Sequence, residues 1–277
     1  LDPEGPLLFM FPTMPFGPLE CVIFDCDGTL VDTEVLAHEA LQDILQALEL
    51  WSPSAQACVQ QALGKDFGTL LKDLEEACGP LPQAFPALLD AEYQRRAHTQ
   101  LKAIDGVYET LQSWPFERLP KVCVASNGDQ PWVLQALRLT GLNAFFPPER
   151  VFTYEQVSRP KPAADLFLYA AQRMGVSPSR CWVVEDSLIG IEAAQSAQMP
   201  VLAFLGAGHQ NSQRCQQIRA RRPNAFLSRF QEILALVHQG LEWSAPETPS
   251  REGATASASH GASGLGNFSP PLPGPAR

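Results

Sequence analysis

Two aspartates separated by one residue follow a short apolar run near the start of the chain. The run "CVIF" is followed at once by Asp25, and Asp27 stands two positions later in "FDCDGTL". Two carboxylates at the end of one buried strand repel each other unless a positive charge lies between them. This spacing therefore predicts a site that holds a positive group between two acids.

Polar side chains also follow two later apolar runs. Ser126 and Asn127 end "KVCVASN", and Glu185 and Asp186 end "CWVVED". Near-continuous apolar runs rich in Val, Ile, Phe and Cys are typical of strands that are covered on both faces of a sheet. Ligands bind beyond the carboxyl ends of parallel strands, so we expect these residues to converge with the two aspartates.

A lysine lies along the chain between the second and third of these groups, at Lys161 in "SRPKPAADLF". Clustered carboxylates are hard oxygen ligands that favour Mg²⁺, and a lysine supplies a point charge for a phosphoryl group. An aspartate beside a bound phosphate is a candidate nucleophile that forms an aspartyl-phosphate. A second aspartate two residues on suits the general acid and base. The set therefore predicts phosphoryl transfer.

Four segments in order, "FDCDGTLVDTE", "VASNGD", "RPKPAADLF" and "VVEDS", resemble the four motifs of the haloacid dehalogenase superfamily. The resemblance covers most of residues 19–205. It is greatest to the β-phosphoglucomutase-like sugar phosphatases, and among these to bacterial 6-phosphogluconate-type phosphatases. It implies an α/β core with an inserted helical cap and the hydrolysis of small phosphomonoesters.

The resemblance also implies a role for each matching residue. It makes Asp25 the nucleophile and Asp27 the acid and base. The Mg²⁺ ligands would be the Asp25 carboxylate, the Asp27 backbone carbonyl and Asp186. Glu185 would be either a further ligand or an acid next to the ligands that does not itself contact the ion. The phosphoryl group would be bound by Ser126, Asn127 and Lys161, and the tight turn after the nucleophile would be formed by Gly28 and Thr29.

Apolar strand patterns alternate with helical patterns through most of the chain, which predicts a doubly wound, Rossmann-like parallel sheet. The strand patterns lie at 21–25, 121–126, 181–186 and 201–204. The stretch between the first two strands carries only helical patterns. We therefore expect a flexible segment at 1–18, an α/β core at 19–33 and 105–243, a helical cap at 34–104, and a disordered tail, rich in Ser, Gly and Pro, at 244–277.

Composition limits the partners. The formal net charge of −10 argues against nucleic-acid and anionic-membrane binding, and no apolar run approaches the length of a membrane span. The N-terminal apolar stretch lacks the basic flank of a signal peptide. The seven cysteines form no C-x-x-C pair, which indicates reduced thiols. We expect a cytoplasmic enzyme, a monomer or weak oligomer, that acts on a small phosphate ester.

Two alternatives within this resemblance remain. A phosphosugar mutase of the subgroup has an arginine in its cap that grips a distal phosphate, and in the related stretch "LGKDFGTLL" Phe67 stands at that position. Gly64 and Lys65 in the same stretch are predicted cap contacts to substrate, although Lys65 also suits a solvated lysine at a helix start. The other alternative is a catalytically silent binding protein, which the presence of Asp25 and Asp27 disfavours.

Overall fold

The computed structural model describes residues 19–62, 67–114, 120–208, 210 and 212–242. Within these ranges the strands are β1 (Cys21–Phe24), β2 (Lys121–Ser126), β3 (Val151–Thr153), β4 (Cys181–Glu185), β5 (Val201–Phe204) and β6 (Ala225–Leu227). They form one sheet in the order β3-β2-β1-β4-β5-β6, and every neighbouring pair is parallel. This confirms the predicted doubly wound sheet.

Helices connect the strands and cover both faces of the sheet. In chain order they are α1 (Thr33–Ala47), α2 (Pro53–Gln60), α3 (Phe67–Cys78), α4 (Phe85–Gln100), α5 (Val107–Gln112), α6 (Gln130–Leu139), α7 (Asp165–Met174), α8 (Leu188–Ser196), α9 (Ser212–Ala220) and α10 (Glu232–Glu242). Local sequence sets several of their ends. The side chains of Asp129 and Ser187 cap α6 and α8, and Gly175 ends α7 in the left-handed conformation with φ 67°.

The central strand β1 divides its side chains between two apolar clusters, because successive side chains point to opposite faces. Val22 and Phe24 belong to the cluster shared with α5, α6 and α10. Cys21 and Ile23 belong to the cluster shared with α7, α8 and α9. All four side chains are fully buried, which explains why the strand reads as a continuous apolar run.

The strand order reverses at β1, because the chain adds β2 and β3 on one side and then β4 to β6 on the other. The crevice where an open α/β sheet binds its ligands lies outside the carboxyl ends of the strands at such a reversal. The residues that follow β1 and β4 are Asp25 and Asp186. The topology alone therefore brings the first and last predicted acidic groups to one point.

The helices α1 to α4 pack around an apolar cluster of their own, which is separate from the two clusters of the sheet. Its buried members are Leu41, Leu45, Ala55, Cys58, Val59, Leu74 and Phe85. The bounds of a separate cap at 34–104 stay a prediction, as do those of the other predicted segments. The N-terminal segment 1–18, Gly64, Lys65 and the tail 244–277 lie outside the described residues.

Two strands were not predicted from the sequence. β3 and β6 have three residues each and form the two edges of the sheet. Runs this short carry too few residues to show a period. No helix in the described part of the chain has the length and apolar character that crossing a bilayer requires. The seven cysteines, which all lie in that part, carry free thiols.

Phe24 provides a test of the core. Its ring is fully buried and packs against the rings of Trp114, Phe146 and Phe230 at centroid distances of 6.3, 6.0 and 5.6 Å. Phe24→Ala leaves a cavity among these rings and should lower the free energy of unfolding by about 3–5 kcal/mol in urea titrations. Leu168→Ala, at a side chain that is 39% exposed, is the control and should cost much less.

Candidate active site

Asp25 lies at the floor of a cavity of about 1200 Å³ that opens at the carboxyl end of the sheet. Its backbone N–H donates to the Val184 carbonyl at 3.0 Å, so the pairing of β1 with β4 continues to this residue. The residue stays buried, with 7% of its surface exposed. The sheet thus fixes the position of a carboxylate at the end of its central strand.

Lys161 places a positive charge between the carboxylates of Asp25 and Glu185. Its Nζ donates to Asp25 Oδ1 at 2.5 Å and to Glu185 Oε1 at 2.7 Å. The ammonium group also lies 4.8 Å from the centroid of the Phe167 ring. The lysine is 4% exposed, so these contacts replace water around a buried charge.

Asn127 holds the backbone of Lys161 in place. Its Nδ2 donates to the Lys161 carbonyl and its Oδ1 accepts from the Lys161 N–H, both at 3.0 Å. The two bonds join the loop after β2 to the loop that carries Lys161, here called the lysine loop, across 34 residues of sequence. In the structure, therefore, the amide of Asn127 is directed at the lysine loop, although the resemblance implied that it binds phosphate.

Both carboxylate oxygens of Glu185 have hydrogen-bond donors. Oε1 accepts from Lys161, and Oε2 accepts from the N–H and the hydroxyl of Ser187 at 2.9 and 2.8 Å. The carboxylate rests against the first turn of α8 at Gly190, where an added Cβ would lie 1.7 Å from Oε1. Glycine at this position therefore makes room for the acid that anchors the lysine.

Asp186 is tied to the first motif and faces a second cation. Its Oδ1 accepts from the Thr29 hydroxyl at 3.0 Å. The Arg214 guanidinium lies 3.8 Å from its Oδ2, which places an arginine of α9 beside the cavity. Asp186 itself is 2% exposed.

The carboxylates of Asp25, Glu185 and Asp186 form a cluster, with one oxygen from each within 4.8 Å of the others. All three residues are buried. Buried oxygen ligands of net negative charge suit a hard divalent cation such as Mg²⁺. The donor set therefore fits the metal that the sequence predicted. Both carboxylate oxygens of Glu185 already accept hydrogen bonds.

Asp27 receives a hydrogen bond at each carboxylate oxygen. The Ser126 hydroxyl lies 3.2 Å from Oδ2, and the Trp132 indole Nε1 lies 3.2 Å from Oδ1. The hydroxyl of Ser126 also accepts from the Gly128 N–H at 2.9 Å. These contacts orient the Asp27 carboxyl group within the cavity.

The pKa values of Asp25 and Asp27 shift in the direction that burial predicts, whereas the pKa of Lys161 shifts in the opposite direction. Burial and the neighbouring carboxylate of Glu185 raise the pKa of Asp25, against the lowering effect of Lys161. Burial raises the pKa of Asp27, and the hydrogen bonds from Trp132 and Ser126 oppose it. Burial alone would lower the pKa of Lys161, but Asp25 and Glu185 outweigh it and raise that pKa. The lysine is therefore charged at neutral pH.

The structure brings together seven of the predicted site residues: Asp25, Asp27, Ser126, Asn127, Lys161, Glu185 and Asp186. The remaining two, Gly64 and Lys65, lie outside the described residues. Sequence reasoning missed Trp132, Gly190 and Arg214. Gly190 lies three residues after Ser187, the residue that caps α8, so its proximity to Glu185 had a local signal. Trp132 and Arg214 had none.

The opposite wall of the cavity comes from the helices between β1 and β2. It presents mainly apolar side chains from α1, α3 and α4, together with two acids and a histidine. Examples are His38, Phe67, Leu89, Asp90 and Tyr93. A ligand in the cavity therefore contacts charged groups on the sheet side and a mixed, largely apolar surface on the helical side.

Comparison with known proteins identifies a family model, haloacid dehalogenase-like hydrolase, that matches residues 19–198. The 6-phosphogluconate phosphatase of Escherichia coli K12 is 27% identical over 192 residues, which cover 69% of this chain and 85% of that protein. The fructose-1-phosphate phosphatase YqaB of the same strain is 32% identical over 193 residues, covering 64% of this chain and 92% of the relative.

A solved structure shows the same fold. The HAD family hydrolase of Deinococcus radiodurans R1, determined with bound phosphate and sodium, superposes with a TM-score of 0.70 at 26% sequence identity. The superposition covers 81% of this chain and 97% of that protein. The similarity therefore includes the sheet and the helices inserted after its first strand.

Removal of the Lys161 charge should destabilise the fold. Lys161→Met leaves buried carboxylates without their counter-ion and should lower the free energy of unfolding by about 3 kcal/mol or more at pH 7 in EDTA. The raised pKa of Lys161 means that its stabilising contribution is fully present at pH 7. The deficit should shrink toward pH 4, because the buried carboxylates that have lost their counter-ion then gain protons.

Lys102→Met is the matched control, because Lys102 is exposed. Urea titrations of the wild type and both variants at pH 7 and pH 4 measure the effect. An equal, small loss in the two variants, or a loss for Lys161→Met that does not change with pH, would show that the charge of Lys161 does not balance the acids.

Proposed function

The chain belongs to the haloacid dehalogenase-like hydrolase family, and from that premise we propose that it is a Mg²⁺-dependent phosphatase of small phosphomonoesters. The observation that carries the proposal is the Lys161 ammonium, held between the carboxylates of Asp25 and Glu185 at the floor of the cavity. This arrangement offers a nucleophile and a cation at one point. With Asp27 beside it, the site has the groups that phosphoryl transfer requires.

In the first half of the proposed reaction the Asp25 carboxylate attacks phosphorus. A bond forms between a carboxylate oxygen and phosphorus, and the bond from phosphorus to the leaving oxygen breaks. Protonated Asp27 gives its proton to that oxygen, so the alcohol leaves neutral. The raised pKa of Asp27 favours the protonated form that this step needs. The product on the protein is an aspartyl-phosphate.

In the second half the Asp27 carboxylate takes a proton from water, whose oxygen attacks phosphorus. The bond between Asp25 and phosphorus breaks, which releases inorganic phosphate and restores the free carboxylate. Lys161 remains charged throughout and offsets the negative charge of the phosphoryl oxygens. Asn127 holds the lysine loop, and Ser126 orients Asp27 from its hydroxyl.

The carboxylates of Asp25 and Asp186 and the backbone carbonyl of Asp27 are the ligands that we assign to Mg²⁺. Both oxygens of Glu185 already accept hydrogen bonds, so we assign this residue to holding Lys161. When bound there, the ion would neutralise charge on the phosphoryl oxygens, help to orient the ester and relieve the repulsion within the carboxylate cluster.

We propose that residues 34–104 act as a cap whose side chains contact the leaving group. The wall that α1, α3 and α4 contribute to the cavity supports this role. The names of the relatives, a 6-phosphogluconate phosphatase and a fructose-1-phosphate phosphatase, support sugar phosphates or sugar-acid phosphates as the substrate class. Free thiols at all seven cysteines, most of them buried, are in keeping with a cytoplasmic enzyme.

Two positions favour hydrolysis over the mutase alternative. Phe67, at the place of the mutase's phosphate-gripping arginine, begins α3, is 48% exposed and lines the cavity. The loop "SNGDQ" at residues 126–130 lacks the lysine that the resembling mutases carry there, and the side chain of Asp129 in this loop caps α6 by accepting from the Trp132 N–H at 2.8 Å. An isomerising enzyme must hold two phosphates, and neither position supplies the cation for the second.

Loss of the nucleophile should abolish activity. Asp25→Asn keeps the size of the side chain but cannot form the phosphoenzyme, so phosphate release should fall by at least about 10³-fold. The measurement is release of inorganic phosphate from a panel of sugar phosphates and sugar-acid phosphates with Mg²⁺. Asp105→Asn, at an exposed acid, is the control and should keep full activity. Undiminished turnover by Asp25→Asn would contradict the mechanism.

Mg²⁺ should stabilise the folded protein through Asp186. At about 100 times its dissociation constant a ligand adds about 2.7 kcal/mol of stability, which raises the midpoint of thermal unfolding by several degrees. Asp186→Asn removes one ligand and should lose most of this rise, whereas Asp105→Asn should retain it. A midpoint that Mg²⁺ raises equally in wild type and Asp186→Asn would place the ion elsewhere. This readout does not depend on activity.

A further inference from the structure

Trp132 contacts the proposed acid directly although it belongs to no motif that the sequence analysis singled out. Its indole Nε1 donates to Asp27 Oδ1 at 3.2 Å, across 105 residues of sequence. The residue is half-buried and lies in the first turn of α6, which follows the loop after β2. Ser126 and Trp132, which both donate to Asp27, therefore come from the last residue of β2 and from the helix that follows it.

Two contacts hold Trp132 in place. The backbone N–H of Trp132 donates to the Asp129 side chain at 2.8 Å, which fixes the first turn of α6. Its ring packs against Tyr93 of α4 with the centroids 5.0 Å apart and the planes at 48°. A further bond between Gln135 and Gln94, at 3.1 Å, joins the same two helices. The position of the indole N–H therefore depends on a helix of the segment between β1 and β2.

The chemistry of an indole suits a group that orients an acid without competing for its proton. Indole Nε1–H is a donor only, so it bonds Oδ1 whether Asp27 is protonated or ionised. It therefore keeps the carboxyl group in one orientation while the proton moves from Asp27 to the leaving oxygen and later from water to Asp27. The indole proton itself is not transferred in either step.

We propose that Trp132 is a positioning residue for Asp27, seated by the ring of Tyr93, and that the segment between β1 and β2 thereby aligns proton delivery to the leaving group. The inference rests on the proposed function, because it presumes that Asp27 is the acid. Correct alignment of an acid matters most for esters whose leaving oxygen is strongly basic. Trp132 then determines how well poor leaving groups are expelled.

The experiment compares two aryl phosphates of similar shape. The 4-nitrophenolate anion is a weak base and leaves with little need of a proton, whereas phenolate is more basic and leaves better with one. Trp132→Phe keeps an aromatic ring against Tyr93 but removes the N–H donor. We expect it to lower kcat/KM, which reports the step that expels the leaving group, about tenfold more for phenyl phosphate than for 4-nitrophenyl phosphate.

Matched variants separate positioning from packing. Trp114→Phe also removes one indole hydrogen bond, from Nε1 to the Pro120 carbonyl at 3.1 Å, but in the apolar core. It should affect both esters equally. Tyr93→Phe keeps the ring contact and should change kcat/KM for the two esters by the same factor, whereas Tyr93→Leu removes the ring contact and should reproduce the selective loss on phenyl phosphate. If Trp132→Phe folds poorly, the comparison of Tyr93→Phe with Tyr93→Leu tests the inference instead.

Asp27→Asn on the same two esters distinguishes failure of this inference from failure of the proposed function. A selective loss on phenyl phosphate in Asp27→Asn, Trp132→Phe and Tyr93→Leu supports the inference. The same loss in Asp27→Asn alone, with equal effects on both esters in the Trp132 and Tyr93 variants, overturns it and leaves the acid in place. Equal effects in Asp27→Asn overturn the acid itself, and the inference with it.

Discussion

The buried ammonium of Lys161 between two carboxylates is the interaction on which the rest of the site depends. Three acids end within 4.8 Å of one another at the carboxyl end of the sheet, and burial makes their repulsion costly. Lys161 neutralises part of that charge through contacts of 2.5 and 2.7 Å. The remaining negative charge suits a divalent cation, and the proposed function depends on it.

Much of the surrounding structure serves to hold this charge arrangement. The side chain of Asn127 bonds both the N–H and the carbonyl of Lys161 and so fixes the lysine loop. Glu185 is held by a hydrogen bond from Ser187, and the lack of a side chain at Gly190 leaves room for its carboxylate. These supports come from the segments that follow β2 and β4, which the parallel sheet with its order reversal brings together. The acid Asp27 is held from another direction, by Ser126 and the indole of Trp132.

The sheet and the acidic, serine and lysine positions of the site were predictable from sequence, because each stands directly after a buried apolar run or within a motif of fixed order. The edge strands β3 and β6 were not, since three residues carry no period. Trp132 and Arg214 were missed for a different reason. Their contacts with Asp27 and Asp186 depend on the packing of helices far apart in sequence, which no local pattern encodes. Gly64 and Lys65 stay predictions.

The central claim, that Asp25 carries the phosphoryl group, has a direct measurement. Asp27→Asn retains the nucleophile but lacks the base that activates water, so with 4-nitrophenyl phosphate and Mg²⁺ it should accumulate phosphoenzyme. Rapid acid quenching and peptide mass spectrometry should find one phosphoryl group on the peptide that contains Asp25, and none when Asp25→Asn is added. Nitrophenol release with no covalent phosphate at Asp25, or with phosphate on another residue, would contradict the account.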